Sequence, residues 1–116
     1  MKRMMIVEDH SAFAQALQLV FGEGTEVILA RTLEEGRALV RDGDRFDVVV
    51  LDLALPDGVG TDLIPDIRER HPQTRVAVLS ARDDIGEVAS RAGADAAIPK
   101  ETPLSEIIFS LRRLTS

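Results

Sequence analysis

The sequence predicts an α/β domain in which a five-stranded parallel sheet is covered by helices on both faces. Three observations carry this reading. Five short apolar runs recur at residues 4–7, 27–30, 48–51, 76–79 and 96–98, and their starts lie 20 to 28 residues apart, the length of a strand, a helix and two loops. Most of the runs are continuous rather than alternating, as expected of strands buried on both faces. The segments between them place apolar residues at helical spacing.

The first helix is expected from the stripe Phe13, Ala16, Leu17 and Val20. The second, over 33–41, contains Gly36 and the fourth, over 84–92, contains Gly86, so both are expected to be marginal. The third has Leu63, Ile64 and Ile67 on one face, ends at His71-Pro72, and tolerates Pro65 only in its first turn. The last is the clearest: Thr102 is read as N-cap, Pro103 as the first helical residue, and Leu104, Ile107, Ile108 and Leu111 form one stripe.

With 116 residues, 45% hydrophobic and 29% charged, the chain is expected to form one domain, residues 1–116. It contains no cysteine, which removes disulfides, thiolate nucleophiles and zinc-thiolate sites and agrees with a reducing, cytoplasmic setting. The opening MKRMMIVEDH is too poor in apolar residues for a signal peptide, and no apolar run approaches membrane-spanning length. A formal charge of −6 repels phosphate backbones and anionic lipid, so neither nucleic acid nor a membrane is an expected partner of this domain.

The strand ends carry the chemistry. Glu8-Asp9 follow the first run, Asp52 the third, Ser80 the fourth, and Lys100 follows Pro99 after the fifth. In a flavodoxin-like sheet of order 2-1-3-4-5 the ligand crevice lies outside the carboxyl ends of the first and third strands, where Glu8, Asp9 and Asp52 would converge. Three neighbouring carboxylates repel unless a cation joins them or one takes a proton. Oxygen ligands without His or Cys suit Mg²⁺, with Mn²⁺ able to substitute. An Asp so placed can attack phosphorus to give an acyl phosphate. Lys100 and Ser80 would supply an ammonium and a hydroxyl to the phosphoryl oxygens. Only Lys2 and Lys100 of the 14 basic residues are lysines, so arginine serves nearly everywhere else.

Each residue also has an ordinary explanation. Asp52 could cap the turn at 55–58, Glu8-Asp9 could begin the first helix with Asp9, His10 or Ser11 as N-cap, Ser80 could be a strand-end hydroxyl, and Lys100 a solvated cation. Those explanations would all have to hold at the same end of four different strands.

The acidic pair in IVEDH, the segment VVVLDLALPDGVG, the hydroxyl in VAVLSA and the lysine in GADAAIPK together resemble a response-regulator receiver domain of two-component signalling, over essentially the whole chain. The resemblance implies a (βα)5 three-layer sandwich. It implies that Asp52 accepts a phosphoryl group from a histidine kinase or phosphotransfer protein. Glu8, Asp9, Asp52 and the backbone carbonyl of Ala54 would bind Mg²⁺, and Ser80 and Lys100 would contact the phosphoryl oxygens. Phosphorylation adds a charge of about −1.5 to −2. The family answers by repacking a surface around the fourth helix and fifth strand, which engages an output domain, a partner protein or, on phosphorylation, a second copy.

The sequence departs from the family in two places. Ala97 stands three residues before the lysine, where the family usually carries Tyr or Phe, and 80–93 (SARDDIGEVASRAG) is about two residues short, so a short fourth helix is expected. Glu101 follows the lysine where many receivers have proline; with His10 and the ending TPLSEIIFSLRRL this resembles the subfamily that carries a helix-turn-helix output domain. Two alternatives remain. A Mg²⁺-dependent phosphohydrolase would want a second Asp where Ala54 stands, so no enzyme is expected beyond slow self-dephosphorylation. A pseudo-receiver that never takes phosphate would lack the acceptor or metal carboxylates, which are present. A dinucleotide site is excluded because EDHSAF, not a glycine-rich loop, follows the first run.

Overall fold

The computed structural model describes residues 2–43 and 45–115. Five parallel strands form one sheet: β1 (Lys2–Val7), β2 (Thr25–Ala30), β3 (Val48–Asp52), β4 (Arg75–Ser80) and β5 (Ala96–Pro99), in the order β2-β1-β3-β4-β5. Each strand contains one of the apolar runs read from the sequence. The extra residues are polar ends such as Lys2 and Arg75, which hydrophobicity does not mark.

The helices are α1 (Ser11–Phe21), α2 (Leu33–Arg41), α3 (Ile64–Arg70), α4 (Ile85–Ala92) and α5 (Leu104–Thr115). Strand parity sorts the side chains into two cores, because successive residues of a strand point to opposite faces. Met5, Val7, Val49, Leu51, Val76 and Val78 pack with Leu33, Val40, Ile64, Ile67, Ile85 and Ala89 from α2, α3 and α4. Met4, Ile6, Val48, Val50, Ala77, Leu79 and Ile98 pack with Ala14, Leu17, Phe21, Ile107 and Leu111 from α1 and α5. The result is the three-layer sandwich expected from the continuous apolar runs. Strands β1 and β3 are buried from Met4 to Val7 and from Val48 to Asp52, each residue being covered on its own face.

Two local features were misjudged by propensity alone. At Gly36 propensity sees only a weak point in α2 and misses a packing role. A Cβ there would lie 3.1 Å from Leu63 Cδ2 and 3.2 Å from Val7 Cγ2, so glycine lets the helix lie close on the sheet. A capping box also anchors its start: Glu35 N–H donates to Thr32 Oγ1 (3.0 Å), and Thr32 Oγ1 and Arg31 N–H donate to Glu35 Oε2. The second misjudgement concerns α5, which starts at Leu104 rather than Pro103. Pro103 occupies the cap position, with its carbonyl accepting from Ile107 N–H, while Thr102 N–H turns back to the Pro99 carbonyl. Pro65 lies in the first turn of α3, His71 closes that helix, and α4 is short, with eight residues ending on left-handed Gly93.

Candidate phosphoacceptor site

Three charged residues lie two positions beyond a residue packed on the α1/α5 face: Glu8 after Ile6, Asp52 after Val50, and Lys100 after Ile98. Their shared parity sends them to the same side of the sheet at its carboxyl end, and the switch of strand order at β1 opens a crevice there. The Lys100 ammonium bridges the two acids, at 3.1 Å from Asp52 Oδ2 and 3.1 and 2.9 Å from Glu8 Oε1 and Oε2. These groups are 92 and 48 residues apart in the chain. Phe13 of α1 presents its ring 5.6 Å from the same ammonium.

Glu8 is 2% exposed and Asp52 5%, whereas Asp9 is exposed at the rim. One carboxylate oxygen from each of Glu8, Asp9 and Asp52 falls within 4.8 Å of the others. Burial raises the Glu8 carboxyl above its usual range, although the Lys100 hydrogen bond and the His10 N–H pull the other way. Burial alone would lower Lys100, but its two carboxylate partners outweigh it and hold the ammonium charged.

The backbone fixes these side chains. Asp52 Oδ1 accepts from Ala54 N–H (3.2 Å) and Glu8 Oε1 from His10 N–H (3.0 Å); both are local backbone contacts, and neither acid caps a first-turn amide of α1. His10 is the N-cap residue of α1 but gives no side-chain cap. Ser80 continues the parity of Val78, toward the other face, and its Oγ accepts from Arg82 N–H at 3.0 Å. The Ser80 carbonyl receives Lys100 N–H (2.9 Å), which ties the ends of β4 and β5. Among the described residues Ser80 Oγ makes no hydrogen bond to Asp52 or Lys100, so the structure places it beside the cluster rather than in it.

The donor set suits a divalent cation. Glu8 Oε2 is buried with the Lys100 ammonium 2.9 Å away, so its one polar neighbour among the described residues is an ion-pair contact. Three clustered carboxylates, with oxygen as the only ligand type, match Mg²⁺, which takes one or two carboxylates and completes its shell with other oxygens. By contrast, a cavity of about 410 Å³ among Lys2, Arg45, Arg70 and Arg75 lies at the amino ends of the strands and takes no part in this site.

Two residues missed in the sequence hold the loop after Asp52. Gly60 lies so close to the Asp52 carbonyl that a Cβ would sit 1.9 Å from that oxygen, and its N–H donates to the Leu53 carbonyl at 3.0 Å. Asp57 Oδ1 and Oδ2 accept from Leu33 N–H (2.8 Å) and Glu34 N–H (3.0 Å) at the start of α2. The glycine in VVVLDLALPDGVG hinted at the first; no sequence pattern marks the second.

The model of the response regulator receiver domain matches residues 4–112. The regulator PilR of Pseudomonas aeruginosa is 32% identical over 109 residues, covering 91% of this chain and 24% of PilR. The KDP operon transcriptional regulatory protein KdpE of Escherichia coli is 36% identical over 115 residues, 97% of this chain and 50% of KdpE. The chain thus spans half or less of these two relatives. Among solved structures, the non-phosphorylated HemR receiver domain from Leptospira biflexa superposes with a TM-score of 0.88 at 33% identity, covering 100% of this chain and 95% of that one. A CheY-like receiver domain from Methanospirillum hungatei gives 0.87 at 27%, covering 97% and 92%. Fold, acidic cluster and these relatives together make the chain a member of the response regulator receiver domain family.

Proposed function

We propose that Asp52 is the phosphoacceptor of a two-component signalling protein. The single observation that carries this is the Glu8–Asp9–Asp52 carboxylate cluster with Lys100 laid across it. In the proposed step an Asp52 oxygen attacks the phosphorus of a phosphohistidine on a histidine kinase or phosphotransfer protein. The P–N bond breaks, its electron pair stays with the imidazole, and Asp52 is left as an acyl phosphate. Glu8, Asp9, Asp52 and the Ala54 carbonyl would hold Mg²⁺, which when bound supplies Lewis-acid neutralisation of phosphoryl charge.

This chain's own residues do the positioning. The Ala54 N–H fixes one Asp52 oxygen, leaving the other on the Lys100 side. As phosphorus arrives, the ammonium passes from carboxylate to phosphoryl oxygen, and Ser80 reaches the same group if its loop gives up the Arg82 N–H contact. Ala54 offers no side-chain acid for leaving-group chemistry, so the acyl phosphate is expected to persist rather than turn over, which separates this reading from a phosphohydrolase. The domain at 1–116 would act in the cytoplasm, and no described helix is long and apolar enough to cross a membrane. The names of the relatives support a regulatory output, transcription included, delivered by an output domain or partner.

Incubation with Mg²⁺ and acetyl phosphate, followed by intact-mass measurement, tests the reading. A single phosphoryl adduct is expected on the wild type and none on Asp52→Asn. Multiple turnovers of small phosphate esters would support the hydrolase, and a wild type that never gains the adduct would support a pseudo-receiver.

A further inference from the structure

The loop that leaves the acceptor is a hairpin of two-residue strands, Ala54–Leu55 against Gly58–Val59. So short a hairpin does not hold itself in water and needs anchors. Its base is fixed at Gly60, whose N–H reaches the Leu53 carbonyl, and Leu55 is buried in the core with Leu33 and Leu63. Its tip carries Asp57, and both carboxylate oxygens of Asp57 receive backbone amides from the start of α2, 24 and 23 residues away. Thr32 caps only the Glu35 amide, so the Leu33 and Glu34 amides at the start of α2 are satisfied by Asp57, which thereby ties the helix start to the loop. Arg37 of α2 separately pairs with Asp66 of α3 at 3.0 Å.

The hairpin's first residue touches the site. Ala54 N–H donates to Asp52 Oδ1, and the loop is the only stretch between Asp52 and the tip. We propose that Asp57 is a positioning residue for the acidic site: by binding the Leu33 and Glu34 amides it locks the hairpin, and through the Ala54 amide the Asp52 carboxylate, in the orientation that receives the divalent cation. The inference rests on the phosphoacceptor reading above. It makes the start of α2 part of the site's support although no side chain of α2 reaches the carboxylates. It also gives α2 a direct mechanical link to any movement of the loop.

The test is a Mg²⁺ titration followed by backbone amide chemical shifts, which needs no phosphoryl transfer. Losing a direct outer-shell partner weakens metal binding roughly 10- to 100-fold. Asp57 lies one step further out, so Asp57→Ala should raise the Mg²⁺ midpoint by about threefold to tenfold, and Asp57→Asn, which keeps one acceptor oxygen, by less. Thr32→Ala weakens the same helix start without touching the loop, and should lower the melting temperature while leaving the midpoint unmoved. An unshifted midpoint in a folded Asp57→Ala overturns the inference, as does an equal shift in Thr32→Ala. Should Asp57→Ala not fold, Asp57→Asn decides by the same criterion. Wild type that binds no Mg²⁺ overturns the acidic-site reading and this inference with it, so the two failures are told apart.

Discussion

Replacing Gly60 with alanine tests whether the acceptor is held by backbone contact. The new Cβ would stand 1.9 Å from the Asp52 carbonyl oxygen and 2.9 Å from its carbon, where ordinary contact begins at 3.4 Å. The two backbones would have to part by about 1.5 Å. Neither can yield easily: Leu53 N–H is bonded to the Leu79 carbonyl, Gly60 N–H to Leu53, and Asp52 ends a fully buried central strand. Overpacking typically costs 1–3 kcal/mol, and a clash with rigid backbone belongs at the top of that range, about 3 kcal/mol. For a domain of this size that is roughly 12 °C in melting temperature. Calorimetry of wild type and Gly60→Ala in EDTA measures it. The same variant should take less phosphoryl group from acetyl phosphate, because relieving the clash displaces Asp52. A Gly60→Ala protein that melts within about 3 °C of wild type and phosphorylates normally would refute the claim that this contact positions the acceptor.

Other outcomes follow from the same geometry. Lys100→Met leaves Glu8 and Asp52 buried side by side without their cation, and should cost about 3 kcal/mol in EDTA, with part restored by Mg²⁺; equal urea midpoints in EDTA would show that the ammonium is not what holds the pair. Gly86→Ala places a methyl where nothing lies within 4 Å and should stabilise α4 by up to about 1 kcal/mol, whereas Gly36→Ala meets Leu63 and Val7 and should gain nothing; thermal melts of the two variants decide, and equal gains would refute the close packing of α2. Two amide hydrogen bonds hold the Asp57 carboxyl below its usual 3.8, so its stabilising effect is full above that value and is lost as pH falls through the depressed one. The difference in urea midpoint between wild type and Asp57→Asn should therefore be constant near neutrality and shrink in acid; a gap that grows in acid would contradict the sign.

How much of this was legible in the sequence depends on the range of the interaction. The strands were readable because β1, β3 and β4 are buried on both faces and so run apolar without interruption. Glu8, Asp9, Asp52 and Lys100 were readable because parallel strands all deliver their carboxyl ends to one side, whatever the distance along the chain. Ser80 was placed by the same rule, which fixes the end of the sheet but not the face; parity from Val76 and Val78 turns it the other way. The start of α5 shifted by one residue because Thr102 N–H found the Pro99 carbonyl, a turn that propensity does not encode. Thr32 and Glu35 form a readable capping box. Asp57 was beyond reach because it depends on a helix start 24 residues upstream, and Gly60 was only hinted at, because its need depends on how closely a loop crosses a carbonyl.

The charge of the site explains why these supports must be rigid. Glu8, Asp9, Asp52 and Lys100 sum to a formal −2 with Glu8 ionised, which one divalent cation cancels. Burial raises the Glu8 carboxyl above its usual value while Lys100 and the His10 N–H oppose it, so the ammonium is the one counterion the described side chains supply to this pocket. Under the phosphoacceptor reading, the carboxylate of Asp52 becomes a neutral acyl group bearing about −1.5 to −2 on its phosphoryl oxygens, a net gain of about 0.5 to 1 negative charge. Lys100 loses its Asp52 partner in the same event and is the nearest cation to follow the new charge. On β5 the residue three before it is Ala97, half-buried against the α2–α4 core, so the aromatic lever of the family is absent from that strand. Groups mechanically coupled to the site include Phe13 on α1, which faces the ammonium, the Asp57 tie to α2, and Ser80, whose carbonyl holds the Lys100 N–H. A phosphorylation signal in this domain therefore has physical routes through Lys100 and Ser80 at the ends of β5 and β4, and through Phe13 of α1 and the Asp57 tie to α2.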